Sequence, residues 1–211
     1  MTKKELAVKV IALLKAEYPS AECSLNYSSP LQLLIATKLS AQCTDARVNK
    51  VTPELFSKYK TAEDFANAPT EDIEKIIHSC GFYRTKSREI IAMCTGILSK
   101  HGGNVPDTIE NLVALPGIGR KTANLILVEV YNKPGLVVDT HFIRVTSRLG
   151  FHDTKNAEKI EFLMAKLIPK NEMKDFGHRI VAHGRRVCKA INPKCNVCIL
   201  NNICRFKKLF F

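Results

Sequence analysis

Apolar residues along this chain recur at the three-to-four-residue spacing of amphipathic helices, from one end to the other. Lys3 to Glu17 places Leu6, Val10, Leu13 and Leu14 on one face and is expected to stop before Pro19. Ser29-Pro30 has the form of an N-cap followed by proline at the first helical position, opening a helix over 31–39. Thr44 or Asp45 caps the next segment, and Pro53 is expected to open a separate one ending near Tyr59. Further starts stand at Thr61-Ala62-Glu63-Asp64 and at Thr70-Glu71-Asp72, the second running through Ile73, Ile76 and Ile77 to a stop at Gly81. Residues 84–101 form a long amphipathic stretch closed by Gly102-Gly103, and Pro106-Asp107-Thr108 opens a short helix carrying Ile109, Leu112, Val113 and Leu115. Residues 123–131 are apolar almost all round, the pattern of a helix buried inside a protein. Past a crossover at Asn132-Lys133-Pro134-Gly135, helices are expected at about 140–149, 156–168 and 174–191. Leu136-Val137-Val138 is too short to count as a strand, so the predicted class is all-α.

One stretch breaks the pattern. In Leu115-Pro116-Gly117-Ile118-Gly119-Arg120-Lys121-Thr122-Ala123, the proline and two glycines make a turn between two helices. Arg120 and Lys121 then fall in the first turn of the second helix, where the macrodipole is positive and a cation costs about 0.3–1 kcal/mol. Local rules are usually broken at functional sites. Open backbone N–H groups, close-approach glycines and two cations make a phosphate site. A lysine crowded by the positive helix end and Arg120 is also suited to act as an amine nucleophile. A solvated lysine after an ordinary turn fits the same nine residues.

Charge narrows the choice. Among 211 residues, 32 Lys and Arg outnumber 20 Asp and Glu, a formal charge of +12 that favours a polyanionic partner, nucleic acid before membrane. No apolar run approaches a membrane span, and Met1-Thr2-Lys3-Lys4 leads into an amphipathic helix and not a signal-peptide core. The expected location is therefore the cytoplasm, where thiols stay reduced and eight cysteines are read for metal before disulfides.

Four of those cysteines, Cys188, Cys195, Cys198 and Cys204, are separated by six, two and five residues. Asn192, Pro193, Asn196, Asn201 and Asn202 bend the chain between them, so four thiolates can converge on a structural zinc or a [4Fe–4S] cube. Zinc sites usually pair two short knuckles, and here only Cys195 and Cys198 form one. The spacing also differs from the ferredoxin run, which weakens an electron-carrier reading. Cys23, Cys43, Cys80 and Cys94 are scattered through apolar helices and read as small core residues. Residues 176–211 contain no Asp or Glu but carry Arg179, Arg185, Arg186, Lys189, Lys194, Arg205, Lys207 and Lys208. Some of these offset a negatively charged cube. Lys189 and Lys194, on the loop between the first two cysteines, read as cations presented to a phosphate backbone. In Val137-Val138-Asp139-Thr140-His141, Asp139 has the position of an N-cap. The crossover is long enough to return the chain toward Lys121, where a carboxylate takes a proton from an amine and stabilises an oxocarbenium-like centre.

Together these stretches resemble the endonuclease III family, the helix-hairpin-helix DNA glycosylases and abasic-site lyases of base excision repair. The likeness rests on residues 115–123, on Val138-Asp139-Thr140-His141 and on the cysteine spacing. It extends to Leu39-Ser40-Ala41-Gln42-Cys43-Thr44-Asp45, Gly81-Phe82-Tyr83 and His183-Gly184-Arg185, and runs from about residue 25 to residue 204. The resemblance implies a two-domain fold: a six-helix domain over 22–132 with the helix-hairpin-helix, and an iron–sulfur cluster domain from 1–21 and 133–211, with DNA in the cleft. It implies that Lys121 attacks the sugar C1′ and forms a Schiff base, and that Asp139 is the activating carboxylate. Leu115, Gly117, Gly119 and Arg120 match the phosphate-gripping turn, and Cys188, Cys195, Cys198 and Cys204 match the [4Fe–4S] ligands. Gln42 matches the side chain that fills the gap left in the duplex. Phe82 falls where the family places an apolar wedge, commonly leucine. His141, Arg185, Lys189 and Lys194 complete the expected DNA contacts. The implied partner is double-stranded DNA with oxidised or ring-damaged pyrimidines or abasic sites, met by a monomer in the nucleoid of the cytoplasm. Two other readings share features. An adenine-removing mismatch glycosylase has the hairpin, aspartate and cluster but generally lacks lysine at the position of Lys121. A catalytically silent DNA-binding module needs no carboxylate near phosphates, so the presence of both Lys121 and Asp139 counts against it.

Overall fold

A computed structural model describes the backbone of residues 1–210 and the side chains of residues 1–207. The side chain of Lys208, one of the expected tail cations, lies outside the described residues. In chain order the helices are α1 (Lys3–Glu17), α2 (Pro30–Leu39), α3 (Asp45–Lys58), α4 (Ala62–Ala66), α5 (Thr70–Ile77), α6 (Tyr83–His101), α7 (Ile109–Val113), α8 (Arg120–Glu129), α9 (Thr140–Leu149), α10 (Ala157–Ala165), α11 (Met173–Arg186) and α12 (Arg205–Phe210). Short 3-10 turns lie at His78–Cys80, Lys170–Glu172, Cys195–Val197 and Asn201–Ile203. Among the described residues there is no strand and no helix long and apolar enough to cross a membrane. The class is all-α. The chain forms two compact units, one of Cys23–Asn132 and one of Met1–Glu22 with Lys133–Phe211.

In the first of these units, α2, α3, α4 and α7 begin where a side-chain oxygen meets an orphan backbone N–H. Ser29 accepts from Gln32 and Thr44 from Arg47, while Thr61 and Asp64 form a reciprocal capping box. The centre is α2, which is apolar on nearly every face. Leu33, Leu34, Ile35 and Leu39 are wholly buried against Leu55, Phe65, Ile73, Ile77, Ile90, Met93, Ile97 and Ile126. Pro53 does not open a new helix; it lies inside α3. A proline in a helix interior costs about 3 kcal/mol. Val48, Thr52 and Leu55 bury one continuous face on both sides of it, and breaking the helix there would expose that face.

In the second unit, α1, with its Thr2/Glu5 capping box, buries Leu6, Ala7, Val10 and Leu14. They pack with Phe142, Val145 and Leu149 of α9, Ile160 and Met164 of α10, and Phe176 and Ile180 of α11. The Phe142 and Phe176 rings meet edge-on at 6.0 Å. Leu13, expected on the buried face, lies at its margin and is exposed. At Gly184 of α11 an added Cβ would sit 3.1 Å from His141 Cβ and 3.2 Å from an Arg144 nitrogen, so a larger residue would push those side chains aside by a few tenths of an ångström where α11 meets α9. Helix α11 is shorter than expected, ending at Arg186. The Val187 and Cys188 N–H groups both donate to His183 O, and Lys194 N–H donates to Val187 O, so the chain doubles back before residue 191.

Candidate functional site

The hairpin is assembled from the end of α7, its turn and the start of α8. Leu115 and Ile118 are buried and anchor the turn, and Ile118 N–H donates to Leu115 O at 3.2 Å. Gly117 has φ +71°, and a Cβ there would lie 2.5 Å from Lys38 Nζ. Lys38 donates to Gly117 O at 2.8 Å and pairs with Glu89 at 2.9 Å, so an ammonium from α2 braces the turn from below. Gly96 of α6 faces Pro116 and Leu115, leaving 3.3–3.4 Å to a built Cβ. Gly119 is the N-cap of α8 and supplies no side-chain cap, so the first-turn N–H groups keep their donor capacity. Gly117, Gly119 and Lys121 are exposed, and Arg120 is half-buried. A rigid turn presenting backbone donors and a lysine to solvent is chemically an anion cradle with an amine at its rim.

Two loops of the same unit carry Gln42 and Phe82. Both residues have left-handed backbones, φ +53° and +48°, which is uncommon without glycine and persists only when neighbours enforce it. Lys86 links the segments that precede them. Its buried ammonium donates to Leu39 O at 2.8 Å and to Cys80 O at 2.9 Å, tying the end of α2 to the turn before Phe82. Burial holds Lys86 below the usual lysine range. The Phe82 ring is 65% exposed on this tethered loop, an apolar side chain held out in water.

In the other unit, Cys188, Cys195, Cys198 and Cys204 line one pocket, walled by apolar side chains that include Val145, Leu149 and Leu200. Among the described residues no three His, Cys, Asp or Glu side chains are grouped to hold a single metal ion. Burial, with the neighbouring thiols acting in the same direction, pushes the Cys198 thiol up to about 11 and raises that of Cys195. Cations converge on the loop from behind. Arg148 donates to Cys188 Sγ at 3.4 Å, to Lys189 O at 2.6 Å and to Ala190 O at 3.0 Å. Arg144 donates to Cys188 O at 3.0 Å and Gly184 O at 2.9 Å and lies 3.0 Å from His141 Nδ1. His183 faces Cys198 Sγ at 3.5 Å and pairs with the Tyr18 hydroxyl at 3.1 Å. Burial pushes His183 down to about 4, so it is neutral near pH 7.

No role was expected from sequence for Lys38, Lys86, Arg144, Arg148 or Tyr18, and His183 entered only within the stretch His183-Gly184-Arg185 that carries the resemblance. The available signal was a cation inside an apolar helical run, as at Lys38, or two arginines four apart on one helix, as at Arg144 and Arg148. Of the tail cations, Arg185, Lys189 and Lys194 are exposed. Two others serve local roles. Arg179 is buried and paired with Asp175 at 2.7 Å and Glu172 at 3.4 Å, and Arg205 pairs with Asp153. Cys43, expected on a helix, instead lies half-buried in the loop ahead of α3. Asp139 caps α9, its Oδ1 accepting from Phe142 N–H at 2.7 Å. His141 follows it, held below the usual histidine range by burial against the opposing pull of Asp139.

Residues 35–170 match the model described as HhH-GPD superfamily base excision DNA repair protein, and the chain belongs to that superfamily. Within it the likeness is to endonuclease III. The endonuclease III of Synechocystis sp. is 45% identical over 204 residues, which is 96% of this chain and 93% of the relative. A solved non-covalent endonuclease III–DNA complex matches with a TM-score of 0.93 at 41% identity, covering 99% of this chain and 98% of that one. A trapped endonuclease III–DNA covalent intermediate, an estranged-adenine complex, matches with the same TM-score, identity and coverage. The family resemblance read from the motifs agrees with these findings.

Proposed function

We propose that this chain is a bifunctional DNA glycosylase and abasic-site lyase that removes oxidised or damaged pyrimidines from double-stranded DNA in base excision repair. The observation that carries the reading is Lys121: an exposed amine in the first turn of α8, one residue past a braced glycine hairpin with open backbone donors, in a member of a base excision repair family. In the reaction the hairpin's N–H groups hold a backbone phosphate. A base inside the duplex is out of reach and is extruded at a cost of a few kcal/mol. Phe82 wedges into the stack and Gln42 fills the gap, offsetting that cost. The Lys121 amine attacks C1′ and the base leaves, with Asp139 supplying the carboxylate that takes the proton and stabilises positive charge on the sugar. The resulting iminium acidifies the C2′ proton, and β-elimination cuts the strand on its 3′ side. Water as nucleophile gives no such second step.

Cys188, Cys195, Cys198 and Cys204 are assigned as holders of a [4Fe–4S] cluster. Four thiols line one pocket walled by apolar side chains, and four thiolates are the donor set such a cube takes. When bound, the cluster staples the loop that carries Lys189 and Lys194, which add phosphate contacts with Arg185 and His141. The protein acts as a monomer on DNA in the nucleoid.

Duplexes carrying thymine glycol, an abasic site, or adenine opposite 8-oxoguanine test the assignment. Base release with strand cleavage is expected on the first and cleavage on the second. Action confined to the adenine mismatch would make the chain a mismatch glycosylase, and binding without cleavage of any duplex would make it a silent binding module.

A further inference from the structure

His183 touches the cysteine loop at both ends. It is buried in the last turn of α11, and its carbonyl accepts the N–H groups of Val187 and Cys188, each at 2.9 Å, which fixes the backbone of the first cysteine. Its ring lies in the wall of the cysteine pocket, with Nε2 3.5 Å from the Sγ of the third cysteine, Cys198. The other ring nitrogen, Nδ1, is 3.1 Å from the hydroxyl of Tyr18, the buried C-cap residue of α1. The two rings meet edge-on at 5.9 Å.

We propose that His183 is a positioning residue for the [4Fe–4S] cluster assigned above to the four tail cysteines, an assignment on which this role rests. Its Nε2–H donates to the iron-binding sulfur of Cys198, the Tyr18 hydroxyl holds the ring in that tautomer, and the bond to sulfur raises the cluster's reduction potential.

The tautomer follows from which atoms carry protons. A neutral imidazole has one N–H and one bare nitrogen. A cysteine sulfur bound to iron has lost its proton and only accepts, so a bare Nε2 would set two lone pairs against each other at 3.5 Å. The proton is therefore on Nε2, Nδ1 accepts, and the Tyr18 hydroxyl donates to it. An N–H directed at a thiolate draws electron density away from the iron. The reduced cluster carries one more electron than the oxidised one and gains more from that donor, so the bond favours reduction. The apolar side chains of Val145, Leu149 and Leu200 around the pocket screen it weakly.

The test uses full-length, cluster-loaded protein without DNA. Iron and sulfide are counted first, because wild-type protein that holds no iron would remove the cluster and this role with it. With about four irons in place, protein-film voltammetry gives the midpoint potential. In His183→Leu the ratio of reduced to oxidised cluster at a fixed potential should fall by about tenfold, a midpoint about 59 mV more negative for one electron. Tyr18→Phe, which keeps the ring and loses the hydroxyl, should move it the same way by less. His183→Gln, whose amide brings an N–H to similar reach, should recover part of the shift. A pocket merely loosened would admit water, which favours the more highly charged reduced state and moves the midpoint the other way. Pulsed electron paramagnetic resonance of protein with ¹⁵N-labelled histidine, with the cluster in a paramagnetic state, should show a nitrogen coupling that His183→Leu lacks. A fully loaded His183→Leu with the wild-type midpoint, or with a positive shift, would overturn the role. Absence of the coupling from fully loaded wild-type protein would overturn it whether or not the variants keep their iron.

Discussion

Asp139 carries two assigned roles that one pair of substitutions separates. As the N-cap of α9 it accepts from Phe142 N–H at 2.7 Å, and in the proposed reaction its carboxylate serves the attack by Lys121. Asparagine keeps an oxygen where Oδ1 stands and ranks beside aspartate as a cap, so it forfeits only the charge at the positive helix end, about 0.3–1 kcal/mol. Alanine forfeits the cap itself, about 0.5–2 kcal/mol. At about 2–4 °C per kcal/mol for a chain of this size, Asp139→Asn should lower Tm by about 1–3 °C and Asp139→Ala by roughly twice that. A positioned acid–base group contributes about 10²–10⁴ to rate, so both variants should lose that much equally, whatever their stability. The assay is single-turnover release of thymine glycol from a duplex at saturating protein, set beside thermal unfolding. If Asp139→Asn released the base at nearly the wild-type rate, the residue would be a cap and nothing more.

Three other outcomes follow from the same structure. His152 is buried, its Nδ1 facing Thr154 O at 3.0 Å and its Nε2 facing the Thr146 hydroxyl at 2.8 Å, and burial lowers its pKa. The folded-state value lies below the unfolded one, so the stabilisation is whole above about pH 6.5 and is lost as pH falls through the folded value. His152→Gln should make the acid-side slope of unfolding free energy shallower by up to about one proton; parallel slopes in urea titrations at stepped pH would contradict this. Lys189→Ala or Lys194→Ala should weaken binding to every duplex alike and flatten log K against log salt by about one unit per lost phosphate contact. An unchanged slope would leave those lysines the role of offsetting cluster charge. Purified protein should be yellow-brown with about four irons, and Cys198→Ser should bleach it and weaken DNA binding; a colourless protein with one tight zinc would remove the cluster.

What was legible in the sequence was local. Ser29, Thr44, Thr61, Thr108, Asp139 and Asn156 each cap the backbone N–H three residues on, a signal contained in four residues of text. The hairpin, the cysteine run and the aspartate stood out for the same reason, since each is a compact motif with its own chemistry. What was not legible depends on partners remote in sequence. Lys38 reaches a carbonyl 79 residues away, Lys86 one 47 away, and Arg144 and Arg148 carbonyls 44 and 41 away. No local pattern marks a lysine as the brace of a distant turn. Pro53 misled because its local rule was outweighed by burial of a face that spans it. The end of α11 misled because the cysteine loop, not helix propensity, claims the His183 carbonyl. Arg179 reads as a tail cation in the sequence, but its ion pairs with Asp175 and Glu172 give it a local role.

The central claim is that the Lys121 amine becomes covalently joined to DNA, and borohydride trapping measures it most directly. Protein is mixed with duplexes containing thymine glycol or an abasic site and borohydride is added, since a Schiff base is reducible and other enzyme–DNA links are not. A stable protein–DNA adduct is expected with both duplexes. Lys121→Gln should abolish it while binding stays largely intact, because Gly117, Gly119 and the first turn of α8 keep their backbone donors. An adduct that forms undiminished in Lys121→Gln would mean that another amine is the nucleophile and would contradict the account.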